Sequence, residues 1–141
     1  MNLYLDTSSL LKLYLLEIGT PETQALRDRA DSVATSLVAY PEARSGLARA
    51  LRSGRITSAD YQTVLLAFEA DWPMYLVQDV TNSLVCLAGD LAEKHLLRGY
   101  DAVHLASAIT LQRELGEPVT FSAWDERLMA AAASEGLTPA H

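Results

Sequence analysis

The chain has 141 residues, half of them hydrophobic, and a formal net charge of −7 at pH 7. This length and composition predict one compact domain over residues 1–141 with a single core. The net negative charge repels nucleic acid at long range, which argues against a non-specific DNA- or RNA-binding protein.

The single cysteine, Cys86, cannot form an internal disulfide, and its apolar neighbours predict a buried, unreactive side chain. The amino terminus lacks the basic segment and small-residue cleavage site of a signal peptide, and no apolar run approaches the roughly 20 residues that span a bilayer. We therefore expect a soluble cytoplasmic protein.

The first predicted element is an apolar strand at residues 3–5, which ends at Asp6 and is followed by a helix from Ser9 to Leu16. Open parallel sheets bind their ligands at the carboxyl ends of the strands. Because this strand delivers a carboxylate to that position, Asp6 is the first candidate site residue.

Between residues 20 and 80 the pattern predicts three helices and two short strands. Glu42 lies in the early turns of one helix beside Pro41, which is tolerated there because the first amide hydrogens of a helix have no partner to lose. Thr57, with Asp60 three residues later, resembles a capping box. The predicted helices cover 21–29, 36–53 and 57–72, and the strands cover 33–35 and 75–80.

In the last third of the chain, Asp101 falls near the start of a predicted helix over 100–115, where the helix dipole favours an anion. Asp125 follows a predicted strand at 119–122. A helix over 81–97 is expected to begin at a Thr81 cap and to stop before Gly99. The remaining predictions are an alanine-rich helix ending at 136 and a last strand at 137–138. This alternation of strands and helices predicts an α/β fold whose mostly parallel sheet carries helices on both faces.

Four acids are predicted to share one edge of that sheet, where strand ends and helix starts meet. Crowded carboxylates repel one another, so either one holds a proton or a cation settles among them. With no cysteine cluster and few histidines, the ligands are oxygens that suit Mg²⁺ or Mn²⁺, and such an ion supports phosphodiester hydrolysis. Each aspartate alone is more often a helix cap than a metal ligand, and only their coincidence favours a shared site, so these residues leave the metal site and a structural role both open. The four are Asp6, Glu42, Asp101 and Asp125.

Four segments resemble the PIN-domain ribonucleases of the VapC toxin type, at residues 5–14, 36–42, 100–106 and 121–128. The Asp-Ala-x-His-Leu-Ala run that starts at Asp101 is the most specific, and the resemblance covers essentially the whole chain. It implies a three-layer α/β/α sandwich, a divalent-metal-dependent endoribonuclease acting as a toxin, a VapB-like antitoxin and frequent homodimers. By motif position, the family's acidic quartet corresponds to Asp6, Glu42, Asp101 and Asp125.

The hydroxyl residues that follow the first aspartate also match the family pattern, at Thr7 and Ser8. The chain departs from that pattern at Ala123, where many members carry a threonine or serine two residues before the last aspartate. That aspartate is the most variable metal contributor in the family, so Asp125 is the weakest of the four expected ligands.

An acidic protein that binds RNA needs local positive charge, and four arginines are clustered after Glu42 with no acid between them. Glu42 and Arg49 are seven residues apart, close to two helical turns, and so share a helix face on which phosphate would lie beside the metal. An ordinary solvated helix face explains the same pattern. The arginines are Arg44, Arg49, Arg52 and Arg55.

Two further side chains near the motifs have alternative interpretations. His104 lies three residues after Asp101, on the same helix face, but its apolar neighbours favour a partly buried histidine that orients the helix start over a general base. Trp124 is suited either to stacking on a base or to packing.

Sequence-specific RNA recognition usually targets single-stranded loops, so we expect cleavage of one structured RNA at one site. The family resemblance favours a loop of a tRNA or ribosomal RNA. The rival interpretation is a noncatalytic PIN-fold module that only binds a protein partner. A haloacid-dehalogenase-type phosphatase is disfavoured because the second aspartate that such enzymes carry two residues after the first is absent, the position being Ser8.

Overall fold

A five-stranded, fully parallel sheet forms the middle layer of the protein, in a computed structural model that describes all residues from Met1 to His141. The strand order is β3-β2-β1-β4-β5, which places the first strand at the centre. The strands are Asn2–Leu5 (β1), Ser32–Ser36 (β2), Leu76–Gln78 (β3), Val119–Ser122 (β4) and Thr138–Pro139 (β5).

Seven α-helices and one short 3₁₀ helix at Trp72–Met74 connect the strands. No helix is both long and apolar enough to cross a membrane. The α-helices are Thr7–Leu11 (α1), Thr20–Arg29 (α2), Ala39–Arg52 (α3), Ser58–Asp71 (α4), Asn82–His95 (α5), Gly99–Leu115 (α6) and Glu126–Ser134 (α7).

The side chains of the central strand alternate between the two faces of the sheet, as successive strand residues must. Leu3 and Leu5 belong to a core with residues of α3 and α4, whereas Tyr4 belongs to a second core with residues of α5, α6 and α7. All three are fully buried. The predicted three-layer α/β/α sandwich is thus confirmed, whereas the prediction of a single core is wrong, because the sheet separates two cores.

Local capping chemistry explains several helix starts. The Thr57 and Thr81 hydroxyls accept hydrogen bonds from the backbone N–H groups of Asp60 and Leu84, each at 3.1 Å. Both threonines are the predicted N-caps. Pro41 occupies the third position of α3, where it breaks no helical hydrogen bond.

Two predicted helix boundaries are wrong. The first helix ends at Leu11 and not at Leu16, because the chain turns and the Thr20 hydroxyl donates to the Leu15 carbonyl instead. Helix α5 ends at His95, and its C-cap is Leu96, with a left-handed φ of 54°; Gly99 begins α6 and does not terminate the preceding helix.

The prediction that Cys86 is buried is also wrong, since this side chain is exposed. The buried stripe of α5 consists of Leu84, Ala88 and Leu91, which recur at intervals of four and three residues. Cys86 lies off that stripe and faces solvent.

Candidate active site at the carboxyl edge of the sheet

Asp6 is held rigidly at the end of β1. Its Oδ1 accepts hydrogen bonds from the Ser9 backbone N–H at 2.9 Å and from the Ser8 hydroxyl at 2.7 Å, so the residue caps α1. Only 5% of it is exposed. Burial raises the pKa of Asp6 above its usual range, and the nearby Asp101 carboxylate adds to that effect. A cation at this position would relieve both costs.

Glu42 projects from the first turn of α3, and its Oε1 is engaged by two neighbours. The Thr7 hydroxyl donates to it at 2.7 Å, and His104 Nε2 lies 2.9 Å away. Partial burial acts to raise the pKa of Glu42, but the hydrogen bonds from His104 and Thr7 outweigh it, so the pKa lies below its usual range. Glu42 is therefore ionised at neutral pH.

The remaining two acids flank the same edge. Burial raises the pKa of Asp101, as do the charges of Asp125 and Glu42, although Arg98 opposes the rise with its Nε 3.7 Å from Asp101 Oδ2. Asp125 caps α7, since its Oδ1 accepts a hydrogen bond from the Leu128 backbone N–H at 2.9 Å. The capping role weighed from the sequence is thus observed at Asp6 and at Asp125.

The fold brings the four acids to one edge of the sheet, where they influence one another's pKa values. In this structure, however, no three histidine, cysteine, aspartate or glutamate side chains lie close enough together to hold a metal ion. Hydrogen bonds engage only one oxygen each of Asp6, Glu42 and Asp125. By its chemistry, this all-carboxylate set fits a hard divalent cation.

Three cavities open around these acids. The largest, about 790 Å³, lies between α5 and α6 and reaches Glu42, Tyr100 and Asp101. A second, about 490 Å³, is lined by Glu42, Thr7, Ser8 and Arg49. The third, about 530 Å³, is lined by Asp101, Asp125, Arg98 and Arg127. The acidic edge is therefore accessible from several sides.

The four arginines predicted to form a cluster have different surroundings in the structure. Arg49 shares a cavity with Glu42, as their spacing predicts. Arg44 instead donates to Glu69 at 3.1 Å and to the Tyr40 hydroxyl at 2.8 Å, and Arg55 donates to Glu17 at 3.1 Å. Arg52 is exposed on α3.

Sequence reasoning missed two basic residues at the acidic edge, Arg98 and Arg127, which line the third cavity. Their positions gave a usable signal, because Arg98 precedes Asp101 by three residues and Arg127 follows Asp125 by two. The missed pair lies beside Asp101 and Asp125, while Arg49 lies beside Glu42.

His104 is buried, with 2% exposure, and contacts Tyr4, Thr7 and Glu42 through its two ring nitrogens. The predicted buried histidine is confirmed, and its link to Glu42 was not foreseen. Such a link carries no sequence signal because Glu42 and His104 are 62 residues apart.

Trp124 packs against the C-terminal end of the chain. Its ring centroid lies 4.4 Å from that of His141, and the Lys12 ammonium lies 5.0 Å from it. Gly19 contacts the same indole so closely that a Cβ there would lie 2.4 Å from Cζ2. These contacts favour the packing interpretation of Trp124 over base stacking.

Three curated proteins of Mycobacterium tuberculosis are similar to this chain. Ribonuclease VapC45 (strain CDC 1551 / Oshkosh) and Ribonuclease VapC49 (strain ATCC 25618 / H37Rv) are each 37% identical over 134 residues, covering 94% of this chain and 90% of the relative. Ribonuclease VapC47 of the former strain is 31% identical over 145 residues, covering 98% and 95%. No protein-family model matches the chain.

Solved structures share the fold at low sequence identity. FitAcB from Neisseria gonorrhoeae superposes with a TM-score of 0.64 at 16% identity, covering 97% of this chain and 95% of that one. PAE2754 from Pyrobaculum aerophilum superposes with a TM-score of 0.60 at 18% identity, covering 93% of this chain and 86% of that one. A chain of a toxin-antitoxin complex from Klebsiella pneumoniae superposes with a TM-score of 0.53 at 19% identity, covering 85% of this chain and 84% of that one.

Proposed function

This chain belongs to the VapC ribonuclease family, and on that premise we propose that it is an endoribonuclease toxin that hydrolyses RNA with the help of Mg²⁺ or Mn²⁺. The observation that supports the proposal is the placement of four carboxylates along one open edge of the sheet, near enough to influence one another's charge, with the pKa values of Asp6 and Asp101 both raised. Carboxylates that are costly to ionise alone become favourable once a cation joins them.

The residues that would hold the cation are Asp6, Glu42 and Asp101, with Asp125 as the weakest contributor because the last aspartate is the most variable metal contributor in the family it resembles. With a cation held there, the site would gain a water nucleophile of lowered pKa and neutralisation of charge on the phosphate. The chain supplies the rest. Thr7 and His104 orient Glu42 through hydrogen bonds, and Ser8 and the Ser9 N–H orient Asp6.

Phosphate binding is assigned to basic residues on either side of the acids. Arg49 lies beside Glu42, and its guanidinium donates to the Ser45 hydroxyl at 2.8 Å. Arg98 and Arg127 lie beside Asp101 and Asp125. With so few cations and a net charge of −7, long-range capture of RNA is weak. Selectivity then comes from the shape of the RNA, which favours one structured loop, such as that of a tRNA or ribosomal RNA.

The proposal includes a VapB-like antitoxin as partner. The cavity between α5 and α6 is lined by apolar residues such as Val85 and Ala88 and ends at Glu42 and Asp101. A partner segment with apolar side chains and an arginine complements both parts, because a guanidinium pairs with a carboxylate through two hydrogen bonds. The Klebsiella pneumoniae neighbour was itself solved as a toxin-antitoxin complex. The family resemblance further implies a homodimer, which light scattering of the purified protein tests.

Mapping of RNA ends after induced expression tests the proposal in cells. The wild-type protein should produce new ends at one site of a structured RNA, and an Asp101→Asn variant expressed to the same level should not. Many unrelated cuts spread through messenger RNA would contradict the loop-specific substrate. No new ends, with purified protein that is also inactive with added Mg²⁺ or Mn²⁺, would favour the noncatalytic module.

A further inference from the structure

A buried chain of hydrogen bonds runs from the central strand to Glu42. The Tyr4 hydroxyl lies 2.9 Å from His104 Nδ1, on the core side of the imidazole. On the other side, His104 Nε2 lies 2.9 Å from Glu42 Oε1 and 3.0 Å from Thr7 Oγ1. Thr7 Oγ1 itself donates to Glu42 Oε1 at 2.7 Å. The imidazole is thus contacted through both ring nitrogens.

The proton positions in this chain follow from what each group can donate. Thr7 has one hydroxyl hydrogen, which goes to the Glu42 carboxylate, so Thr7 presents a lone pair to His104. Both neighbours of Nε2 are then acceptors, and Nε2 must carry a hydrogen. Tyr4 is fully buried and keeps its phenolic proton, because burial raises its pKa well above the usual value. The neutral Tyr4 hydroxyl is therefore the hydrogen-bond partner of Nδ1.

We propose that His104 and Tyr4 are positioning residues: His104 donates from Nε2 to Glu42 Oε1, Tyr4 holds the imidazole through Nδ1, and together they hold Glu42 so that Oε2 remains free to bind the cation. The part that concerns the cation rests on the proposed function, whereas the hydrogen bond from Nε2 does not. Outer hydrogen-bond partners of this kind orient metal ligands and sharpen metal affinity. A glutamate side chain has three rotatable torsions, so holding one oxygen in advance lowers the ordering cost of binding.

Packing in the core holds the Tyr4 ring in place. Its ring stacks on Phe121 of β4, with centroids 5.5 Å apart and planes 9° from parallel. His104 is also placed by α6, the helix that begins beside Asp101. The orientation of Glu42 therefore depends on residues of β1, β4 and α6, none of which lies on its own helix.

The first test is whether His104 Nε2 carries a hydrogen in the metal-free protein, read from two-bond ¹H–¹⁵N correlations of ¹⁵N-histidine-labelled protein at neutral pH. The expected result is a hydrogen on Nε2. A hydrogen on Nδ1 alone would overturn the proposed arrangement. This measurement needs neither metal nor RNA, so it distinguishes failure of the positioning role from failure of the proposed nuclease.

The second test is the affinity for Mn²⁺ alone, measured by calorimetry on His104→Gln and His104→Leu. These variants lose the same ring and are similar in size, but only glutamine keeps an N–H donor for Glu42. His104→Leu should bind Mn²⁺ about 10- to 100-fold more weakly than wild type, with His104→Gln clearly tighter than His104→Leu. Equal affinity of His104→Leu and wild type would contradict the positioning role, and so would a wild-type protein that does not bind Mn²⁺.

Tyr4→Phe keeps the inference testable if the His104 variants fail to fold, because it removes one oxygen and retains the stacked ring. It should weaken Mn²⁺ binding less than His104→Leu but measurably. Tyr14→Phe is the matched control, since the Tyr14 hydroxyl donates to Asp71 in the other core and has no contact with His104. A loss of affinity that is equal in Tyr4→Phe and Tyr14→Phe would identify a general packing effect and overturn the assignment.

Discussion

The Ser9 hydroxyl lies 2.8 Å from the Ser122 hydroxyl and joins the first helix to the end of β4. Both side chains are fully buried. Ser9 follows Asp6 by three residues, Ser122 precedes Asp125 by three, and the Asp6 backbone N–H donates to the Ser122 carbonyl at 3.1 Å. This contact therefore sets the spacing of two strand ends that carry candidate ligands.

Ser9→Ala or Ser122→Ala should each lower the free energy of unfolding by about 1–3 kcal/mol, because the remaining hydroxyl is left buried without its partner. The double variant should cost less than the sum of the two, since it leaves neither hydroxyl unpaired. Urea unfolding of all four proteins gives the coupling energy. Strictly additive effects would show that the two hydroxyls do not depend on each other.

Glu135 should make stability depend on pH. Hydrogen bonds from Lys94 at 2.6 Å and from His95 at 2.7 Å lower the pKa of Glu135 in the folded protein. A lowered folded-state pKa gives stability that is present above the unfolded-state pKa of glutamate and is lost as the pH falls through the folded-state value. Because Lys94 is largely exposed, the effect should stay below about 1 kcal/mol at neutral pH and shrink in high salt.

The measurement is the difference in unfolding free energy between wild type and Glu135→Gln from neutral to acidic pH. The wild-type advantage should disappear in acid. An advantage that persists unchanged in acid would mean that the charge of Glu135 does not contribute.

Gly19→Ala should destabilise the protein more than Gly54→Ala. Both glycines have positive φ, 92° and 76°, so alanine at either costs about 1–2 kcal/mol of backbone strain. Only at Gly19 would the new Cβ also clash with the Trp124 ring, whereas Gly54 has no atom within 4 Å of that position. Thermal unfolding of the two variants separates the cost of backbone strain from the cost of the clash. Equal losses of stability would show that the indole moves aside without cost.

Arg49→Gln should weaken RNA binding and make its salt dependence shallower by roughly 0.7 in the slope of log K against log salt, the value expected for one phosphate contact on a single strand. Arg44→Gln should change both quantities less, because Arg44 is already paired with Glu69. Filter binding at several salt concentrations measures both. A larger effect at Arg44 would place the RNA on the opposite side of α3.

Local patterns account for most of the elements that the sequence predicts correctly. The start of β4 at residue 119 follows from Gly116 and Pro118, which lie directly before a short segment of strand-forming residues. The predicted extent of α1 is wrong because its apolar pattern continues past Leu11, while a tertiary hydrogen bond from Thr20 decides where the chain turns. Cys86 is misplaced because flanking apolar residues say less about burial than helical periodicity does.

In the candidate site too, local patterns predict some features, whereas contacts between distant residues could not be predicted. Strand ends and helix starts suffice to place Asp6 and Asp125, since parallel topology brings them to one edge. The contacts of His104 with Tyr4 and Glu42 join residues 100 and 62 positions apart, and no periodic pattern or motif spacing encodes such pairs. For the same reason the internal pairing of Arg44 could not be predicted.

The most direct test of the proposed metal-dependent ribonuclease site is a cleavage rate. Purified wild-type, Asp6→Asn and Asp60→Asn proteins are compared by their initial rates on total tRNA and ribosomal RNA, with Mg²⁺ or Mn²⁺ and with excess EDTA. Asparagine keeps the oxygen that caps α1 and removes a charge that burial disfavours, so Asp6→Asn should unfold at no lower free energy than wild type. We expect metal-dependent cleavage that falls at least about 100-fold in Asp6→Asn and is unchanged when Asp60, an exposed aspartate of α4, is replaced by asparagine. Cleavage by Asp6→Asn at the wild-type rate, or wild-type cleavage that persists in EDTA, would contradict the proposed site.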